Sequence, residues 1–294
     1  MITKGKNTEK WAILAIVICS LLWGFGFPAM KMVEELNVYF IISVRFIVAS
    51  VLLSLIFIGR FKKTNKTLLL HALILSFVLF VVYVFATLGI KFTTSAKASF
   101  FSCLTFAIIP FLNLLVYKQK ITKIIAISVG LCLVGIFLLS YSPVMGFNLA
   151  LGDIICIGAS LFSSIYIVMV DKMTKKDEND PVLLSIWMMI FIAIFGTIVA
   201  FFRGSFSLTY EPKDYIMLLV LGVFCTAIPY ILQFIGQEHV HSTRVGLINA
   251  LEPTSGAILS VILIGETLGI TGWIGGAIVI ISLIYMELMN SRGK

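Results

Sequence analysis

Apolar runs of membrane length follow one another almost without interruption from residue 10 to residue 289. A helix rises 1.5 Å per residue, so about 20 residues cross the roughly 30 Å hydrocarbon core of a bilayer. Ten such runs can be read, near 10–31, 38–59, 67–90, 94–117, 121–141, 150–170, 182–202, 214–236, 242–264 and 269–289. In hydrocarbon each backbone N–H and C=O must find its partner within the protein, which restricts lone spanning segments to helices. The connections are short, hold most of the charge and leave no room for a soluble domain. With 60% hydrophobic and 12% charged residues, the chain lacks the polar surface of a soluble globule, where about a quarter of residues are charged. The expected fold is an all-α integral membrane protein of ten transmembrane helices.

Lysine and arginine fix the expected orientation. With the N-terminus inside, the inner connections hold sixteen of the 22 basic residues: Lys4, Lys6, Lys10, Arg60, Lys62, Lys63, Lys66, Lys118, Lys120, Lys123, Lys172, Lys175, Lys176, Arg244, Arg292 and Lys294. The outer side holds five, and Arg45 lies within a span. Both termini are therefore expected in the cytoplasm, with the chain in the plasma membrane. The net charge of +8 reads as a topology signal, and nucleic acid is not an expected partner. The first run is too long for a signal-peptide core and reads as a retained span.

Gly89, Ser95 and Lys97 reappear as Gly236, Ser242 and Arg244, each 147 positions later. Ten spans divide into five and five, and an odd number makes the second set enter the membrane from the opposite side. The expectation is two inverted five-helix repeats, 1–145 and 146–294, with the ligand site where they meet. The fourth span carries Ser95, Ser99, Ser102, Phe106, Ile109 and Asn113 on one helical face. At the same offset the ninth carries Ser242, Gly246, Asn249, Pro253, Gly256 and Ser260. Such stripes read two ways, as close helix packing or as the lining of a polar cavity.

Residues that are expensive to bury are the sharpest functional signal. Glu252 lies about ten residues into its span, roughly 15 Å deep, where an acid costs on the order of 2.5–3.5 kcal/mol to insert. Pro253 follows it and removes a helical hydrogen bond at the same depth. Arg45 lies about eight residues into the second span, roughly 12 Å deep. It reads either as the partner of Glu252 or as a side chain snorkelling outward to Glu34 or Glu35. Asp153, Asp171 and His71 read as interfacial, and Glu266 as structural. Tyr83, Phe101 and Tyr230 are expected to supply cavity walls, with Trp23, Phe25, Phe27, Tyr166 and Trp187 as further aromatic candidates.

Nothing points to catalysis. His-Glu-x-x-His, Gly-x-Ser-x-Gly and Walker motifs are absent, so no catalytic residues, ATP hydrolysis or cofactor are expected. The five cysteines lie inside apolar segments without Cys-x-x-Cys spacing, and neither a disulfide nor a metal site is implied.

Trp23-Gly24 followed by Lys31, Arg45-Phe46 followed by Ala49, Thr94 to Phe100 leading to Pro110, and Leu251-Glu252-Pro253 followed by Gly265-Glu266 together resemble the EamA-type permeases of the drug/metabolite transporter superfamily. The resemblance covers essentially the whole chain. It implies a central cavity surrounded by the first four helices of each half, with the fifth helices at the back. It also implies a small-metabolite cargo. Where the family often has Gly-Glu after the fourth span, this chain reads Tyr117-Lys118-Gln119-Lys120.

The expected function is a secondary transporter working by alternating access on an amino acid, amine or related amphipathic compound, by proton coupling or exchange. Glu252, Asn249 and Ser102 are the expected polar cavity groups. Arg45 is the expected charge partner or substrate clamp, and Tyr83, Phe101 and Tyr230 the walls. Expected partners are a small-molecule substrate, the lipid bilayer, protons and a second copy in a homodimer. A passive channel or a lipid scramblase on the same scaffold is the alternative.

Overall fold

The computed structural model describes residues 2–118, 121–142, 146–147, 149–175, 179–206, 210–240, 242–249 and 251–292. Within them the chain is helical apart from one two-residue antiparallel ladder, Tyr141–Ser142 with Gly146–Phe147. The helices are α1 (Ile2–Lys31), α2 (Val38–Ile56), α3 (Lys66–Lys91), α4 (Ser95–Ser102), α5 (Leu104–Tyr117), α6 (Lys123–Ser140), α7 (Leu151–Thr174), α8 (Pro181–Phe202), α9 (Pro212–Gly222), α10 (Ile228–His239), α11 (Ser242–Ile248), α12 (Leu251–Ile264) and α13 (Ile270–Arg292). A 3-10 turn spans Ile58–Lys63, and a π-helical turn, Val223–Ala227, joins α9 to α10.

Seven helical stretches among the described residues are long and apolar enough to cross a bilayer: Thr8–Lys31, Val38–Ile56, Lys66–Lys91, Ser95–Tyr117, Leu151–Thr174, Pro181–Phe202 and Pro212–His239. Lys123–Gly135, Leu251–Ile264 and Ile270–Ser282 are shorter apolar helices. The chain is thus a multi-pass membrane protein. Local chemistry sets the starts of several helices, each side chain accepting from an N–H otherwise left without a partner. Asn37 accepts from Tyr39, Asn65 from Leu68, and Thr94 from Lys97. Asp180 accepts from Val182 and Leu183, with Pro181 in the first turn of α8.

The fourth and ninth apolar runs are both broken, and their pieces correspond. Ser95 and Ser242, Leu104 and Leu251, and Tyr117 and Ile264 are equivalent boundaries, each pair 147 apart. In the ninth run Pro253 has no N–H for the Asn249 carbonyl, and the Glu252 N–H takes that carbonyl instead at 3.0 Å. The fourth run reaches the same break without a proline. There the Ser99 and Ser102 hydroxyls take the carbonyls of Ala96 and Ser99, and such back-bonding bends helices.

Long-range packing pairs α1 with α10 and α12, α7 with α3 and α5, α2 with α8, and α6 with α13. One end of the bundle carries Lys31, which donates to the Ile90 and Thr93 carbonyls, and Glu266, which accepts from the Ser95 and Ala96 N–H groups at 2.8 Å each. The other end carries the Glu9–Arg244 and Arg60–Asp180 pairs.

Asp153, Asp171 and His71 lie within two turns of their helix ends. All three are buried, because the helix ends supply polar partners below the surface. Asp153 accepts from Thr93 and Ala150, Asp171 from Tyr117 and Ser242, and His71 faces Asn179. Glu266 is structural, as expected.

Candidate functional site

Between the helices lies a cavity of about 150 Å³, lined by aromatic, aliphatic and polar side chains. Its lining comes from α1, α2, α3, the α4–α5 and α11–α12 breaks, α7, the π turn and α10. None comes from α6, α8 or α13.

Six of the seven sequence-derived site residues stand on its wall: Arg45, Tyr83, Ser102, Tyr230, Asn249 and Glu252. Phe101 does not. It is buried beside the lining, and its carbonyl accepts from the Ser160 hydroxyl. Trp23, Phe27 and Tyr166 also line the cavity, whereas Trp187 donates to Thr64 in the connection before α3.

The small-polar stripes serve both readings, divided by depth. Ser95 bonds Ser260, Ser99 donates to the Pro253 carbonyl, and Gly256 packs on Ser99 and Gly24. These members hold helices together. Ser102, Phe106 and Asn249 face the cavity, and Asn249 also accepts from Ser20 at 2.7 Å.

Arg45 takes neither of the partners expected for it. Lys31 pairs with Glu34, and no carboxylate among the described residues forms an ion pair with Arg45. The π turn holds it instead. Pro229 offers no N–H to the Cys225 carbonyl four residues earlier, and Arg45 Nη2 donates to that carbonyl at 3.1 Å. Arg45 Nε donates to Thr226 Oγ1 at 2.9 Å. The Thr226 hydroxyl in turn donates to the Leu221 carbonyl, five residues back. The guanidinium lies over the Tyr83 ring, 4.5 Å from its centroid, a favourable cation–π arrangement. A buried, membrane-level cation is thus fixed by neutral groups, and π turns recur at functional sites for this kind of reason.

Tyr230 donates to Tyr83 at 2.9 Å, and these two residues are 147 apart. Around Tyr230 stand Trp23, Phe46, Tyr83 and Tyr166, with ring centroids 5.3–6.4 Å away. The Glu252 carboxyl faces the cavity without a hydrogen-bond or ion-pair partner among the described residues. Trp23 Nε1 and Gln233 Nε2 are donors without partners, on residues that line the same cavity.

The unmet polar groups of the lining are therefore one acid and two neutral donors, beside a cation held by neutral groups. Sequence reasoning missed Thr226 and Gln233. The adjacency of Thr226 to a helix carrying Pro229 was the one available signal. All five cysteines are buried and free, and the described residues contain no cluster able to hold a metal ion.

The EamA-like transporter family matches this chain twice, over residues 10–141 and 150–288, and the chain belongs to that family. An uncharacterized transporter of Archaeoglobus fulgidus is 26% identical over 281 residues, covering 95% of this chain and 86% of the relative. The uncharacterized transporter YetK of Bacillus subtilis is 26% identical over 291 residues, covering 94% and 84%. A known crystal structure superposes with a TM-score of 0.71 at 16% identity, covering 96% of this chain and 98% of that one. At that identity the likeness speaks for the fold alone. Family and relatives point to a membrane transporter rather than an enzyme.

Proposed function

We propose that the chain is a secondary transporter of an amino acid or a closely related zwitterion, working by alternating access across the plasma membrane with both termini cytoplasmic. One observation carries this reading. Arg45 and Glu252 line the same cavity at membrane depth, yet neither neutralises the other. An unpaired charge of each sign is costly there. A ligand bearing a carboxylate and an ammonium group satisfies both at once. Arg45 takes the carboxylate, Glu252 the amine, and Trp23, Phe27 and Tyr230 surround the side chain. Asn249 and Ser102 supply neutral polar contacts in the same lining. A simple amine would leave Arg45 unmatched, and a carboxylic acid would leave Glu252 unmatched.

We read the architecture as ten spans in two inverted repeats, 1–145 and 146–294. The double family match supports this. So does an exchange of contacts: Ser95 bonds Ser260 while Ser242 bonds Asn113, the same pair of positions with the halves swapped by 147. The Tyr83–Tyr230 bond then straddles the two-fold axis. Glu252, having no side-chain partner among the described residues, exchanges a proton when substrate arrives or leaves.

The test is exchange in proteoliposomes with an equimolar mixture of the standard L-amino acids. Wild-type protein should show saturable counter-transport, and Glu252→Gln should lose its pH dependence. Linear, non-saturating flux would favour a channel, and pH dependence unchanged in Glu252→Gln would end the proton-coupling part.

A further inference from the structure

Gln233 and Gln237 stand one turn apart on α10, and both are fully buried. Each uses half of its amide. Gln233 Oε1 accepts from the Tyr166 hydroxyl at 3.3 Å, and Gln237 Nε2 donates to the Ile167 carbonyl at 3.3 Å. Gln233 Nε2 and Gln237 Oε1 have no partner among the described residues. Turning either amide over moves the orphan without removing it. An apolar side chain of similar shape would pack here at lower cost, so this conformation alone gives no reason for either glutamine.

Position supplies one. Gln233 forms part of the cavity lining. Further along α10, Ile235 and Glu238 border a second recess of about 610 Å³ at the Arg60–Asp180 end of the bundle. Gln237 falls between the recess-lining residues Ile235 and Glu238 on α10 and itself lines neither space. Subtracting 147 from Tyr230, Gln233 and Gln237 gives Tyr83, Ala86 and Ile90 on α3, all three of which line the cavity. Tyr230 and Gln233 line the cavity as Tyr83 and Ala86 do, so the two halves differ at the last position, where Ile90 reaches the cavity and Gln237 does not.

We propose that Gln233 and Gln237 line the second access path, from the cavity to the Arg60–Asp180 recess. In the opposite conformation their orphaned amide groups meet water or substrate. The inference rests on the alternating-access reading and assigns its closed gate to the contact of α10 with Tyr166 and Ile167.

The experiment labels Gln237→Cys and Ile90→Cys with a membrane-impermeant methanethiosulfonate in oriented vesicles, with and without the L-amino acid mixture. Wild-type protein, with its buried thiols, gives the background. Gln237→Cys should be labelled only from the Arg60–Asp180 side, faster during turnover, and Ile90→Cys only from the other side. In parallel, Gln237→Leu should favour the present conformation. It should lower maximal exchange about tenfold while leaving binding from the Ile90 side within twofold. Gln237→Cys that exchanges normally but stays unlabelled overturns the inference, as does Gln237→Leu with wild-type exchange. Loss of saturable exchange in the wild-type protein itself would overturn the alternating-access reading first, and the two failures are thereby distinguished.

Discussion

Replacing Thr226 by valine keeps the shape of the side chain and deletes only its hydroxyl. That hydroxyl is fully buried, accepts from Arg45 Nε at 2.9 Å and donates to the Leu221 carbonyl at 2.8 Å. A hydrogen bond to a charged group contributes about 1.5–3 kcal/mol and a neutral one about 0.5–1.5 kcal/mol. Thr226→Val should therefore destabilise the protein by about 2–4 kcal/mol, measured by equilibrium unfolding in mixed detergent micelles. The functional effect is separable. Without Thr226 the guanidinium keeps only the Cys225 carbonyl and a long, 3.5 Å contact to Tyr83, and it no longer points in a single direction. Affinity for L-phenylalanine, read by isothermal titration calorimetry, should fall between tenfold and a hundredfold, or about 1.4–2.8 kcal/mol. Thr226→Ser retains both hydrogen bonds and should restore most of the loss. The decarboxylated analogue, phenethylamine, should be affected less than twofold. Equal losses for the amine and the amino acid would refute the idea that the π turn aims Arg45 at a carboxylate. So would unchanged binding in a destabilised Thr226→Val protein.

Three further outcomes follow from individual contacts. Glu266→Gln should cost about 1–3 kcal/mol in the same unfolding assay, because an amide replaces a carboxylate that accepts from two N–H groups at the start of α4. Gly24→Ala should cost about 1–3 kcal/mol and reduce exchange, since a methyl there overlaps the Ser255 hydroxyl and lies 2.7 Å from the Glu252 carbonyl oxygen; unaltered exchange would mean α1 and α12 separate freely. Lys118 adopts φ 55° where the equivalent residue 147 later, Gly265, adopts φ 68°. Lys118→Gly should accordingly stabilise the fold by about 0.5–1 kcal/mol, whereas Gly265→Ala should destabilise it.

Much of this protein is legible in one dimension. Hydrocarbon imposes a fixed length and forbids unpaired backbone, so each spanning segment announces itself locally, and the apolar runs coincide with helices to within a few residues. An offset of 147 relates Gly89, Ser95 and Lys97 to Gly236, Ser242 and Arg244, and the helix boundaries at Ser95 and Ser242 respect it. Expensive residues are visible for the same reason: Glu252 and Arg45 stand out because few side chains resemble them in such surroundings. Pro253 marked its break because a missing N–H is a local fact.

Pairing was settled elsewhere. Whether Arg45 meets Glu252 depends on how two helices are rotated about their axes, and hydropathy carries no information on that angle. The tertiary structure turns Arg45 into a π turn 180 residues away and leaves Glu252 facing the cavity alone. It also divides one serine stripe between packing and lining, because depth along the neighbouring helix decides which members find a partner. Gln233 and Gln237 were indistinguishable from ordinary polar residues near a helix end until burial exposed their unmet amide atoms. The sequence by itself determined the membrane-length apolar helices and the presence of membrane-buried charge, since these follow from local chemistry and periodicity. Only the packed helices decided which charges stay unpaired, because that depends on contacts between residues far apart in the chain.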